Sequence, residues 1–291
     1  MSRPRISQMT MKVIRSLVEI RNWSRSEQQK GFSIGLVPTM GFLHEGHLSL
    51  IGKAKKISTK VIVSIFVNPT QFTTGEDLDK YPVDIQSDID KCKAEGVDVV
   101  FLPKQNEMYS KYHQTYVINQ EISQLLCGIS RPTHFRGVTT IITKFFNLID
   151  PDFAVFGQKD AQQTIIIKNM VRDMNYRTQI IVEPILREKD GLAMSSRNKY
   201  LNQEQRKNAL ILWQCLNFAK SEFQIQNRNI SVLETEIKRQ INNTLHCKVD
   251  YVEFVNAATL QKKFAKDDKV LLALAVFVGT TRLIDNVVLT Y

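Results

Sequence analysis

A chain of 291 residues is long for one core and comfortable for two domains. Its 43% hydrophobic and 23% charged residues are those of an ordinary soluble globular protein, and no apolar run approaches the ~20 residues a bilayer-spanning helix needs. The net charge of +10 suits anionic ligands such as ATP and carboxylates and suits nucleic acid equally, but the basic residues are scattered, with no long run of them like a nucleic-acid arm.

Residues 1 to 18 carry Arg3, Arg5, Lys12 and Arg15 and no acidic residue, a pattern weakly like a transit peptide. A leader over residues 1–10, or translation begun upstream of Met9 or Met11, is the preferred reading. Ser16 and Glu19 then form a capping box for a helix to about Lys30. Phe32 to Val37 is a short apolar strand, and Pro38 and Gly41 turn the chain. Leu48, Leu50 and Ile51 start the apolar stripe of the next helix. Lys60 to Val67 is a β-branched run suited to a buried parallel strand, closed by the turn Asn68-Pro69-Thr70-Gln71. Ile85, Ile89 and Cys92 mark one face of a helix that Gly96 ends. Val97 to Leu102 reads as a strand, Val138 to Leu148 as a helix, and Phe153 to Phe156 as a strand running into Gly157-Gln158-Lys159-Asp160. A helix over Ile165 to Met174 and a strand over Thr178 to Val182 follow. Alternating strands and helices predict a parallel sheet covered on both faces, with ligands at the carboxyl ends of its strands.

After Pro184 the texture changes. Helices are predicted over Asn202 to Phe223 and Ser231 to His246, the second opened by a Ser231 and Glu234 box and carrying Leu233, Ile237, Ile241 and Leu245 as a core stripe. Strands are predicted over Val249 to Val255 and Val270 to Val278, with a short one near Val287. Cys92, Cys127, Cys215 and Cys247 are widely spaced in a chain without a secretory signal, which predicts reduced thiols and a cytoplasmic setting. Nothing local supports Cys-His nucleophilic chemistry.

The chemistry concentrates at Pro38-Thr39-Met40-Gly41-Phe42-Leu43-His44-Glu45-Gly46-His47. His44 and His47 are three apart, so both are predicted on one face of a first helical turn, where free N–H groups favour an anion. Two surface histidines would be the plain alternative. A zinc site is disfavoured, because the metalloprotease helix spaces its histidines four apart and no third ligand clusters with these two.

The segment resembles the His-x-Gly-His signature of a nucleotidyltransferase superfamily that includes class I aminoacyl-tRNA synthetases. Its longer form resembles the pantothenate synthetase (pantoate–β-alanine ligase) family in particular. Three later stretches share that resemblance: Gly128-Ile129-Ser130-Arg131-Pro132-Thr133-His134-Phe135-Arg136-Gly137-Val138, Gly157-Gln158-Lys159-Asp160-Ala161-Gln162-Gln163, and Arg187 to Leu201 with Met194-Ser195-Ser196-Arg197 at its centre. The resemblance covers nearly the whole chain after Met11.

It implies an α/β fold, with a Rossmann-like nucleotide-binding domain over residues 11–185 and a smaller α+β domain over 186–291 that closes over the site. It implies ATP and magnesium, a homodimer, and no nucleic-acid or membrane partner. The implied reaction is condensation of pantoate with β-alanine through pantoyl adenylate. By resemblance His44, His47, Lys159 and Arg197 are catalytic, with His47 a candidate proton donor. ATP is assigned to Met40 through His47, to Gly157 through Asp160 with Lys159 on phosphate and Asp160 on ribose, and to Leu186, Met194, Ser195, Ser196 and Arg197. Pantoate and β-alanine are assigned to Pro38, Met40, Gln71, Arg131 and Gln163. Magnesium is assigned to Asp88, chosen over Asp84 by its spacing from Tyr81. Gln158 departs from the glutamate common at that position. Two rivals stand beside it: an aminoacyl-tRNA-synthetase fragment or another nucleotidyltransferase of the same class, which would activate an amino acid or need a nucleotide acceptor, and a nucleotide sensor without turnover.

Overall fold

The structure is a computed structural model that describes residues 11–73, 75–223, 229–263, 265 and 267–290. The expected leader over residues 1–10 lies outside the described residues. Six parallel strands form one sheet in the order β1-β4-β3-β2-β5-β6: β1 Lys12–Ile14, β2 Ile34–Thr39, β3 Lys60–Ile65, β4 Val99–Phe101, β5 Phe153–Gly157 and β6 Gln179–Glu183. Every residue of β3 and β4 is buried, as expected of parallel strands covered on both faces.

Alternation along these strands divides the core into two layers. Ile34, Leu36, Ile62, Val99 and Phe101 face the helix His134–Ile149 through Ile141, Phe145 and Phe146. Val37, Val61, Val63 and Val100 face the other way, onto Leu50, Ile51 and Ala54 of the helix Glu45–Ile57. Each such large apolar side chain taken fully out of water contributes about 1.5 to 3 kcal/mol.

The C-terminal part builds a three-stranded antiparallel sheet, β7 Cys247–Asn256, β8 Val270–Val278 and β9 Thr281–Leu289. Leu272, Leu274 and Val276 pack on the helices Ile211–Phe223 and Ile230–Asn242. Leu271 and Ala273, on the opposite face, pack on Leu126 and Ala161 of the first half. Cover on both sides explains why β8 is an unbroken apolar run in an antiparallel sheet. Among the described residues no helix is long and apolar enough to cross a membrane. The four cysteines are free and buried.

Several expectations are corrected. The strand β1 falls where no element is predicted; it pairs with β4 as a sheet edge too short to show a period. The helix predicted over Ser231 to His246 is Ile230–Asn242, capped by Asn229, whose side chain accepts from the Ser231 N–H, and Leu245 is exposed beyond its end. The predicted helix over Asn202 to Phe223 is two helices, Gln203–Asn208 and Ile211–Phe223. The short closing strand is the nine-residue β9. In the helix Ile85–Ala94 Cys92 is buried and Ile89 packs against the core as expected, but Ile85 is exposed and Asp88 is buried instead.

Candidate active site

From the central β2 the chain winds outward to β3 and β4, then crosses to β5 and β6 on the other side. The direction of winding therefore reverses between β2 and β5. Such a reversal opens a crevice beyond the carboxyl ends of the two strands, where ligands of open α/β sheets bind. The His44 turn leaves β2 and the Lys159 turn leaves β5, and both line one cleft of about 970 Å³. Gln71, Arg131 and the Met194-Ser195-Ser196-Arg197 loop form its other walls.

The histidines cap the helix Glu45–Ile57 with imidazole in place of hydroxyl and carboxylate. His44 is the N-cap, and its Nδ1 accepts from the Gly46 N–H at 3.1 Å. His47 reaches back, its Nδ1 accepting from the His44 N–H at 3.3 Å. The ring centroids lie 4.1 Å apart. A Cβ on Gly46 would stand 2.8 Å from His44 Cε1, so the glycine between the histidines is what lets the first ring fold onto the helix end. His44 thus stands just outside the first turn rather than on its face.

With both Nδ1 atoms accepting, each ring carries its proton on Nε2. Burial, reinforced by the Lys159 charge, lowers the His44 pKa to about 4. Burial and the neighbouring His44 and Lys159 push His47 well below the ordinary imidazole value. The pair is therefore neutral at physiological pH and offers N–H donors rather than positive charge.

Lys159 lies in the tight turn Gln158–Asp160, 3.8 Å from the Asp160 carboxylate. The two following glutamines divide their tasks. Gln162 is buried, accepting from the Cys127 N–H at 3.0 Å and donating to the carbonyls of Ile122 and Leu125. Gln163 faces the cleft.

Adjacent acids hold two of the arginines that line the cleft. Glu76 takes Arg131 in a two-bond pair at 2.6 and 2.7 Å, and Asp77 takes Arg197 at 3.0 and 2.9 Å. Burial would raise the Glu76 pKa, but bonds from Arg131 and Thr73 outweigh it and hold the carboxyl at about 2. Ser195 accepts from the Arg197 N–H at 3.3 Å, and Ser196 is buried beside Tyr81, to which it hydrogen-bonds.

His134 buttresses this wall: its Nδ1 lies 2.8 Å from the Gln71 carbonyl oxygen, and burial, then the Arg131 charge, brings its pKa down to about 3. Next to it, a Cβ on Gly137 would fall 2.4 Å from the Thr70 carbonyl oxygen and 2.5 Å from the Gln71 nitrogen. Gly137→Ala is accordingly expected to displace the turn bearing Gln71, lowering stability by about 1 to 3 kcal/mol as overpacking does. Chemical denaturation would measure this, and an unchanged midpoint would show that helix and turn can separate freely.

A family profile for pantoate-beta-alanine ligase matches residues 12–288. The pantothenate synthetase of Caldicellulosiruptor saccharolyticus is 49% identical over 278 residues, 96% of this chain and 99% of that protein. The chain belongs to the pantoate–β-alanine ligase family. The pantothenate synthetase of Thermoanaerobacter sp. strain X514 is 50% identical over 276 residues, 95% of this chain and 98% of that one. Among solved structures, the pantothenate synthetase of Thermus thermophilus superimposes with a TM-score of 0.87 at 35% identity, covering 95% of this chain and 99% of that one. A Francisella tularensis pantoate-beta-alanine ligase, solved with β,γ-ATP and β-alanine, gives a TM-score of 0.79 at 34% identity over 96% of this chain and 98% of that one. Identity along almost the whole ligase chain sets aside a synthetase fragment.

Of the residues that likeness to the ligase family picked out, Pro38, Met40, His44, Gly46, His47, Gln71, Arg131, Gly157, Lys159, Asp160, Gln163, Leu186, Met194, Ser195, Ser196 and Arg197 line the cleft. The others do not. Leu43 is buried in the core, Gly41 and Phe42 turn the backbone with positive φ, and the Phe42 ring lies 4.1 Å under Lys199. Glu45 is exposed at a neighbouring recess, and the Gln158 side chain turns to Asn286 at 3.0 Å.

Asp88 is a correction. It is 1% exposed, and its oxygens accept the N–H groups of Phe42 and Leu43, each at 2.7 Å. Burial raises its pKa against the pull of those two bonds. Its carboxylate moors the turn ahead of His44 and does not reach the cleft. Sequence reading passed over Glu76, Asp77 and His134; Glu76 and Asp77 gave no periodic signal, and His134 stood in a quoted motif without a task.

Proposed function

We propose that this chain condenses pantoate with β-alanine, consuming ATP and releasing AMP and pyrophosphate, through pantoyl adenylate formed in the cleft. The observation that carries the reading is the convergence of the β2 turn, the β5 turn and the Ser195-Ser196-Arg197 loop on one crevice, in a chain half identical to pantothenate synthetases along its length. In the first step a pantoate carboxylate oxygen attacks the α-phosphorus, and the bond to the β-phosphate oxygen breaks. In the second the β-alanine nitrogen attacks the activated acyl carbon, and the bond to the AMP oxygen breaks as the amine loses a proton.

Negative charge gathers on phosphoryl oxygens in the first step, so positioned donors do most of the work. We assign this to Lys159, to the Nε2–H groups of His44 and His47, and to Ser195, Ser196 and Arg197. Arg197 would exchange Asp77 for phosphate oxygens, which match the same two-bond geometry. The lowered pKa of His47 supports hydrogen-bond donation over the proton transfer first considered for it. Gly157, Leu186 and Met194 would wall the nucleotide, with Asp160 on the ribose, while Pro38, Met40, Gln71, Gln163 and Arg131 would surround pantoate.

A resident magnesium site does not fit the donor set. Among the described residues no group of three or more His, Cys, Asp or Glu side chains could hold a metal, Asp88 is filled by backbone, and Glu76, Asp77 and Asp285 are each taken by an arginine. Magnesium fits better as a counterion arriving on the triphosphate, where protein carboxylates need supply few ligands or none.

Mass spectrometry tests the overall reaction: pantothenate and AMP should appear in equal amounts from ATP, pantoate and β-alanine. Formation of ADP instead would mean phosphoryl rather than adenylyl transfer. The acid pocket has its own test. Gln163→Leu should leave a polar group of bound pantoate unpaired, at about 1 to 3 kcal/mol or roughly 5- to 150-fold in affinity, with ATP affinity unchanged. Gln71→Leu should cost pantoate affinity too, and also disturb Met40 and Asn68, whose side chains bond the Gln71 amide at 2.9 and 3.1 Å. Titration calorimetry separates the two ligands; a loss confined to ATP would overturn the assignment.

A further inference from the structure

Asp285 and Asn286 are consecutive in β9, far in sequence from every motif above, and both are buried at 2% and 4% exposure. Neighbouring side chains of a strand leave on opposite faces, so one dipeptide can hold two different elements. Asp285 grips Arg187 through two bonds, Nη1 to Oδ2 at 2.6 Å and Nη2 to Oδ1 at 2.9 Å. The guanidinium also donates to the Gly191 carbonyl at 3.0 Å and stacks 3.9 Å from the Trp213 ring. Arg187 bridges Ala193 through its backbone, and the Met194 N–H donates to the Leu186 carbonyl at 3.0 Å. Asp285 therefore fixes the hairpin that delivers Ser195, Ser196 and Arg197.

Asn286 holds the other phosphate-facing turn. Its Nδ2 donates to the carbonyls of both Gln158 and Lys159 at 3.0 Å, and its Oδ1 accepts from Gln158 Nε2 at 3.0 Å. Both amide protons are thereby used. The Asn286 N–H in turn donates to Asp285 Oδ1 at 2.8 Å, which ties the two grips together.

We propose that Asp285 and Asn286 are positioning residues for adenylate formation, a bracket that sets the spacing between the Lys159 turn and the Ser195-Ser196-Arg197 loop. The proposal rests on the reading of the cleft given above. Asp285 acts through Arg187, and Asn286 through the carbonyls of residues 158 and 159. Donors on separate loops stabilise one transition state only if both stand at the right distance from it, and a displacement near 1 Å can cost roughly 10²-fold in rate.

Three variants of the full chain test this. Asn286→Asp sets an oxygen against two carbonyl oxygens, Asn286→Ala removes the bracket, and Asp285→Asn keeps the shape without the charge. Each is assayed for pantoate-dependent exchange of pyrophosphate into ATP, for pantoate affinity by calorimetry, and for β-alanine aminolysis of supplied pantoyl adenylate. Exchange should fall by about 10- to 100-fold while pantoate affinity and aminolysis stay within about threefold of wild type. A purely structural role would lower all three together, and that result would overturn the proposal, as would exchange within about threefold of wild type in every variant. If Asn286→Asp does not fold, Asn286→Ala and Asp285→Asn give the answer. Failure of the wild-type chain to exchange with pantoate would instead sink the reading of the cleft.

Discussion

Lys159→Ala is expected to slow pantoate-dependent pyrophosphate exchange by ~10²- to 10³-fold, as loss of one preorganised transition-state donor does in comparable sites. The side chain is 22% exposed, at the carboxyl end of β5 and lining the same cleft as the histidine cap. A charge so placed acts at lower dielectric than in water, and nothing need reorganise when phosphoryl charge develops. The same variant has a second readout. Lys159 helps to depress both His44 and His47, so its removal should let both imidazoles titrate at higher pH than in wild type. Single-turnover kinetics and histidine NMR titration measure the two effects. A wild-type rate with unmoved titrations would make Lys159 an ordinary surface lysine.

Asp88→Ala is expected to destabilise the fold by about 1 to 4 kcal/mol, because one buried and one part-buried N–H group lose their acceptor, the buried one at about 1 to 3 kcal/mol. Those donors are Phe42 and Leu43, and Phe42 already holds an uncommon φ of 52° that the carboxylate helps to fix. Asp88→Asn should recover part of the loss, since an amide keeps one acceptor and turns a donor on the other N–H. Denaturant midpoints measure both. A magnesium ligand would behave differently, leaving stability nearly intact while raising the magnesium concentration needed for turnover; that pattern would reinstate the role first assigned to this residue.

Elements with strong local signals were legible in the sequence. The β-branched run at Lys60 suited a covered strand, and the glycines at 41 and 46 marked a backbone free to approach a ligand closely. The order of strands and helices then placed every motif loop at a carboxyl end. Three kinds of feature escaped. β1 carries just three residues, too few for a period to show. Asp88 sits at a helical spacing that reads as a solvated face, and only the fold reveals that the facing surface is a turn with bare N–H groups. Long-range bonds such as Asp285 to Arg187, or Glu76 to Arg131, join residues 98 and 55 positions apart, and no local pattern announces them. The histidine cap lies between these cases: the spacing of His44 and His47 put them together, but the reciprocal use of Nδ1, and hence the Nε2–H donors, emerges only from geometry.

If pantoate is adenylated before the amine is needed, isotope exchange will reveal it. Labelled pyrophosphate should enter ATP when the chain is supplied with magnesium and pantoate and no β-alanine, and should not enter when pantoate is replaced by a panel of amino acids. Exchange driven by an amino acid, or none with pantoate, would rule out pantoyl adenylate as the intermediate.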